Sequence, residues 1–285
     1  MDSTAHTQER LLYKQVKKIP LIELLKKEHK IPRGRTHAIV EQASTDILAF
    51  CSEDYKLRKN SSIYKPFEKL LKEENIQFQK HIIVVDGNKF YVDYIIHHKL
   101  KSSIVNDIIP KLSIWNSYDG TVKTQIHFGY HRLLCGNGLS RPVGCQIKLS
   151  SKHSADEDEF INETVPHFLD MFKVFLKEST FDIKIFERMQ RKKVSDSFLE
   201  DIADKLKFSK EAREIAKVQM KKEISGDMSY VNTAGELVLS SKSPVTVFSV
   251  YNALNYAIYH TNSKELPEFK SKRDRLLVDE ICHFI

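Results

Sequence analysis

No apolar run in this chain approaches the roughly 20 residues that a helix needs to cross a bilayer, so the expectation is a protein with no membrane span. The opening residues, M-D-S-T-A-H-T-Q-E-R, are polar and carry no hydrophobic signal core, which points to the cytoplasm. Cysteine is scarce. Cys51, Cys135, Cys145 and Cys282 show no paired spacing, which argues against a disulfide framework and fits reduced thiols. The sequence also lacks a P-loop, a dinucleotide fingerprint, a G-x-S-x-G elbow, an H-E-x-x-H pair and the zinc-deaminase signature. Internal repeats and low-complexity tracts are missing as well. With the common enzyme signatures gone, no catalytic residue and no cofactor is expected.

What is present is enough apolar sequence for a real core. The 285 residues are 41% hydrophobic, which suits one large or two modest domains. A formal net charge of +7 favours a polyanionic partner, although charge bears on association and not on fold.

Three regions follow from the patterning. Residues 1–35 read as a basic amphipathic N-terminal helical segment, with Leu11, Leu12, Val16, Ile19, Leu21, Ile22, Leu24 and Leu25 set among lysines and Pro20 splitting it into two short helices. Such a stripe suits a membrane surface, a nucleic acid or, most plainly, the edge of a core. Residues 36–152 read as a β-rich core: a strand pair over T-H-A-I-V and T-D-I-L-A-F-C, an amphipathic helix over 61–74, a hairpin turning at Asp86-Gly87-Asn88, and a further pair across Asp119-Gly120. Residues 153–285 read as a helical region packing on that core, entered through the acidic stretch 153–163. Within it, Ser195 and Ser209 are expected caps, Ser243-Pro244 a helix start, and the following V-T-V-F-S-V-Y-N-A-L-N-Y-A-I-Y a buried helix. The expected class is α+β, an antiparallel meander sheet flanked by helices with a mostly helical C-terminal half.

The stretch from Trp115 to Ser154 holds five of the nine glycines, Gly120, Gly129, Gly136, Gly138 and Gly144. Glycine permits positive φ and close main-chain approach, so this density marks an unusual path. Lys123, Tyr130, Arg132, Arg141, Lys148 and Lys152 supply cations and an aromatic face there, as phosphate contacts and base stacking require. Tyr130 and Trp115 serve equally well as core aromatics. His131, Cys135, Cys145 and His153 offer imidazoles and thiols, but without C-x-x-C spacing a small buried cysteine is the simpler reading, and no metal is assigned. The carboxylates Asp86, Asp93, Asp107 and Asp119 are the material a metal-dependent nuclease would need, and turn chemistry alone accounts for Asp86 and Asp119.

Several of these segments together carry a family resemblance. They are T-H-A-I-V-E-Q-A-S-T-D-I-L-A-F-C-S-E-D-Y-K-L-R-K-N, Y-D-G-T, H-R-L-L-C-G-N-G-L with its K-H-S, and V-Y-N-A-L-N-Y-A-I-Y-H. In order and spacing they resemble the phage/plasmid-like proteins of the family called domain of unknown function 932, from about Ile31 to His260. The matching positions include Asp119, Gly120, Arg132, Cys135, Asn137, Leu139, His153 and Asn252, while Gly138 stands where family members usually carry threonine. The resemblance implies a phage, plasmid or integrated element as origin and no established reaction. Strands followed by a helix also look like the core of single-strand annealing recombinases, which is an analogy of fold only. The expected function is a non-enzymatic, DNA-binding protein of a mobile element, favouring single-stranded DNA and acting as a homo-oligomer. Alternatives are a protein-directed factor against host defence and a metal-dependent nuclease.

Overall fold

The computed structural model describes residues 3–24, 33–98, 100, 102, 105–136, 138–139, 148–151, 157–232, 234–262 and 264–285, with 3–5, 139, 148–151 and 157–166 described by main chain alone. The class is α+β with a helical C-terminal half. Two compact units divide the chain, each gathered from three stretches. Met1–Tyr94, Leu112–His127 and Ile147–Lys173 form the first; Ile95–Lys111, Phe128–Gln146 and Val174–Ile285 form the second.

The first unit begins with α1 (Ser3–Leu12) and a three-stranded antiparallel sheet of β1 (Val16–Pro20), β2 (His37–Glu41) and β3 (Ile47–Cys51), in that order. A strand over Val16–Pro20 corrects the helical reading of this stretch. Lys18 lies opposite Ile39 and Ile19 opposite Ala38, so the apolar residues alternate across a sheet instead of lining a helix. Pro20 is accommodated because β1 is an edge strand, where a missing N–H costs no ladder bond. Leu21, Ala38 and Val40 form a small core with Ile19, Leu24, Ile47 and Phe50.

Helix α2 (Asn60–Glu73) buries Ile63, Tyr64, Phe67 and Leu71, the i, i+1, i+4, i+8 set of one face. The hairpin of β4 (Phe78–Val85) and β5 (Lys89–Ile96) turns at Asp86, whose φ is 52°. These strands continue into β6 (Ile108–Ser117), β7 (Thr124–Arg132) and β8 (Gly138–Leu139), in the order β4-β5-β6-β7-β8, with β9 (Lys148–Ser151) also paired to β7. Asn116 links two elements of the first unit, donating to Asn60 Oδ1 and accepting from Thr124 Oγ1, each at 2.9 Å.

The second unit is mainly helical. It holds the end of α3 (Glu157–Arg191), then α4 (Phe198–Lys205), α5 (Lys210–Ser225), a two-stranded ribbon of β10 (Ser229–Val231) and β11 (Leu237–Leu239), α6 (Val247–His260) and α7 (Pro267–Cys282). The main chain is already helical from Glu157, so the acidic stretch supplies the start of α3, while residues 152–156 lie outside the described set. Ser209 caps α5 by accepting from Ala212 N. Ser195 bonds Ser197, the residue at the N-cap of α4, and no side chain caps that helix. The buried helix starts at Thr246, two residues past Pro244, in a capping box with Ser249. Eleven of its residues are buried, from Val247 to Ile258, as expected for a helix that is apolar nearly all round. Among the described residues no helix is long and apolar enough to cross a membrane.

Candidate nucleic-acid interface

Strand β7 sets the geometry of the motif that dominates the sequence. Its residues alternate without a break, with Thr124, Ile126, Phe128, Tyr130 and Arg132 on the buried face. Tyr130 is fully buried between Phe175 and Phe186 and donates its hydroxyl to Asp182 Oδ2 at 2.6 Å. Arg132 is 5% exposed. Its Nε donates to Asp107 Oδ2 and its Nη1 to Glu223 Oε1, both at 2.7 Å, and its guanidinium lies 5.3 Å from the Phe248 ring centroid. Cys135 Sγ is 4.0 Å from the same Nη1.

Burial alone would push the guanidinium toward neutrality, but Asp107 and Glu223 outweigh it and hold Arg132 firmly charged. Glu223 is displaced the other way. Burial raises its pKa above the ordinary carboxylate value and Arg132 only partly offsets that.

These placements correct two expected contacts. Tyr130 does not present a stacking face and Arg132 does not present a free cation, because strand alternation turns both inward and carboxylates already occupy their polar groups.

The rest of the motif serves the same interior. Asn255 donates to Gly138 O at 3.1 Å and to Asp274 Oδ1 at 2.7 Å, and Tyr251 donates to the same Asp274 oxygen at 3.0 Å. The amine of Lys111 occupies the space that a side chain at Gly138 would fill. Asn252, one turn from both Phe248 and Asn255, is fully buried. Its amide has no hydrogen-bond partner among the described residues.

In the first unit, Asp119 accepts from the main chain and hydroxyl of Thr121 at 2.9 and 2.6 Å, and Gly120 takes φ +72° beneath the Tyr55 ring. Burial would raise the Asp119 pKa, but the Thr121 and Ser117 hydrogen bonds and Lys89 bring it below the ordinary value. Lys123 is exposed. Lys148 and Leu139 pair by main chain with His127 and Tyr130, and their side chains lie outside the described residues, as do Asn137, Arg141, Cys145, Lys152 and His153 entirely. Asp93 accepts from Ser113, and Asp107 belongs to the Arg132 cluster. Among the described residues no three His, Cys, Asp or Glu side chains converge as a metal site.

The cationic surface lies elsewhere, on a face of α3 that patterning did not single out. Counting from Lys177, the positions i, i+4, i+7, i+11 and i+14 are Lys177, Phe181, Lys184, Arg188 and Arg191, with Lys192 and Lys193 just beyond. All are exposed, Phe181 by 53%. The opposite face buries Phe175, Asp182, Phe186 and Met189.

From Lys177 to Lys192 the stripe runs about 22 Å at 1.5 Å per residue. Among the described residues, Lys177, Lys184, Arg188, Lys192 and Lys193 make no ion pair, and Arg191 reaches Glu187 only at 3.9 Å. Cations in a last helical turn also stabilise its carbonyl end. That explains Arg188 and Arg191 but not Lys177 or Lys184, which lie well upstream. The signal was present in the sequence as cations at helical spacing opposite the Phe and Ile positions.

A family model described as Domain of unknown function (DUF932) matches residues 47–278. No curated protein and no solved structure matches the chain.

Proposed function

Since the chain belongs to the DUF932 family, whose description specifies no reaction, we propose from the geometry that it is a non-enzymatic nucleic-acid-binding protein taking single-stranded DNA along the exposed face of α3. The observation that carries this is the run of exposed cations at Lys177, Lys184, Arg188, Lys192 and Lys193, which make no ion pair among the described residues, with Phe181 among them. Cations along one line neutralise successive phosphates and release counterions, and an exposed aromatic offers a face on which any base stacks. Phe181 favours a single strand, because bases in a duplex are already stacked. The net charge of +7 adds general attraction. Origin in a phage, plasmid or integrated element and a role in strand annealing are part of the proposal. They rest on the family resemblance and on what a replicating element requires.

The test is a fluorescence-anisotropy titration with labelled single-stranded oligonucleotide over a range of salt. Affinity should fall steeply with salt, with a log–log slope of roughly −0.7 for each phosphate neutralised on a single strand. The variant Lys184→Glu/Arg188→Glu/Arg191→Glu should bind at least tenfold more weakly at low salt. Wild-type binding that is absent at low salt, or indifferent to this variant, removes the proposal. Cutting of the oligonucleotide with magnesium present would favour the nuclease reading instead.

A further inference from the structure

The ribbon of the second unit has one face held and one face open. Strand β10 pairs with β11 in the register Ser229–Leu239, Tyr230–Val238 and Val231–Leu237. Tyr230 is buried and donates to Asn106 Oδ1 at 3.1 Å, which anchors one face. The other face shows Val231, Leu237 and Leu239 to solvent at 57%, 68% and 72% exposure.

Among the described residues no third strand joins this sheet. The hydrogen bonds at its ends are Asn232 N to Glu236 O at 2.9 Å and Ser240 N to Met228 O at 2.8 Å. Antiparallel alternation then turns the main-chain groups of Val238 toward β10 and those of Leu237 and Leu239 outward to the open edge. An edge of this kind is normally blunted by charge, proline or a bulge. Here Ser229–Val231 and Leu237–Leu239 contain neither charge nor proline.

We propose that this edge is where two copies of the chain meet, by antiparallel pairing of β11 with β11 of a second copy about a two-fold axis at Val238. The occupant follows from the sequence. Leu237-Val238-Leu239 is symmetric about Val238, so an isologous contact centred there meets like apolar side chains with like. Pairing about Val238 sets Leu237 opposite Leu239 of the other copy, twice, which joins the four outward N–H groups to the four outward carbonyls of the two strands. It places Glu236 opposite the neutral Ser240, so no like charges face each other across the axis in a chain of net charge +7. Each copy brings Leu237 and Leu239 to the contact, which falls well short of the roughly 800 Å² per partner of a stable interface, so association is weak and concentration-dependent.

Sedimentation velocity of the full chain without DNA, from dilute to concentrated, tests this. Wild type should shift from monomer toward dimer. Leu237→Lys/Leu239→Lys sets lysine against lysine and should stay monomeric, whereas Leu237→Lys/Leu239→Glu sets lysine against glutamate and should dimerise. Leu239→Pro removes an outward N–H while sparing the ladder to β10, and should also stay monomeric. Matching far-UV circular dichroism establishes that each variant is folded. A wild type that remains monomeric throughout overturns the contact, as does a Lys/Lys variant that still dimerises. A Lys/Glu variant that stays monomeric beside a dimerising wild type overturns the register. With no nucleic acid in the cell, none of these outcomes bears on the DNA proposal.

Discussion

A guanidinium enclosed by two carboxylates repays its desolvation only while all three charges remain. Removing the cation from the Asp107–Arg132–Glu223 cluster strands two buried anions, a change that typically costs about 3–5 kcal/mol. Arg132→Leu should therefore lower stability by about that much in urea denaturation, while the folded fraction keeps its affinity for single-stranded DNA. Lost affinity without lost stability would return Arg132 to the strand-binding surface. The pH dependence of this cluster has a defined sign. Burial, partly offset by Arg132, lifts the folded pKa of Glu223 above its ordinary 4.5. Between those values the folded chain keeps a proton that the unfolded chain has released, so stability falls as pH rises through the window. Glu223→Gln removes this dependence. Thermal melts should show the variant gaining on wild type as pH rises above 4.5, and a flat difference would mean that Glu223 titrates normally. The inward aim of Tyr130 and Arg132 was legible in principle: the alternation T-Q-I-H-F-G-Y-H-R puts both on the face of Ile126 and Phe128. Residue type outweighed period in the reading, since arginine is seldom buried unless paired. Its partners lie 25 and 91 residues away in sequence, and no local pattern names them.

At the level of elements, periodicity was informative wherever one element supplied it. The hairpin of β4 and β5, helix α2 and the buried helix α6 stand within a few residues of their expected places, because each has its own turn residues, cap or apolar period. Reading failed at β1, where leucines and isoleucines from a strand and the turn after it combine into an apparent helical stripe. It passed over the α3 surface for another reason. Exposed cations are the ordinary furniture of a helix, and only the folded structure reveals that most of these make no ion pair among the described residues. That stripe yields a prediction at its own scale. Phe181 is 53% exposed, so Phe181→Ala should leave stability within about 0.5 kcal/mol of wild type. Loss of base stacking should cost about 1–3 kcal/mol of single-strand affinity, roughly 5- to 150-fold, and spare duplex affinity. Paired anisotropy titrations on single-stranded and duplex oligonucleotides of one sequence measure both. Equal losses on the two would make Phe181 a support for the neighbouring cations and not a stacking platform.

For the whole molecule, the consequence to test is how a weak contact between copies and a cationic helix face would act together. Each chain presents one α3 stripe of about 22 Å, so an oligonucleotide that just spans one stripe engages one copy at a time. On a strand long enough for two stripes, the second copy of a pair binds as a tethered group, and such linkage raises apparent affinity by about 10²–10⁴ without any new contact to DNA. Wild type should then bind the long strand far more tightly than the short one, beyond the statistical gain from extra binding registers. Leu239→Pro adds no charge, so it should match wild type on the short strand and lose the excess on the long one. The comparison separates the two ideas by where failure falls. If short-strand binding is missing, the α3 surface is not the DNA site. If short-strand binding is intact and the long-strand excess is the same in wild type and Leu239→Pro, copies do not act together through β11, and the +7 chain binds each segment of strand independently.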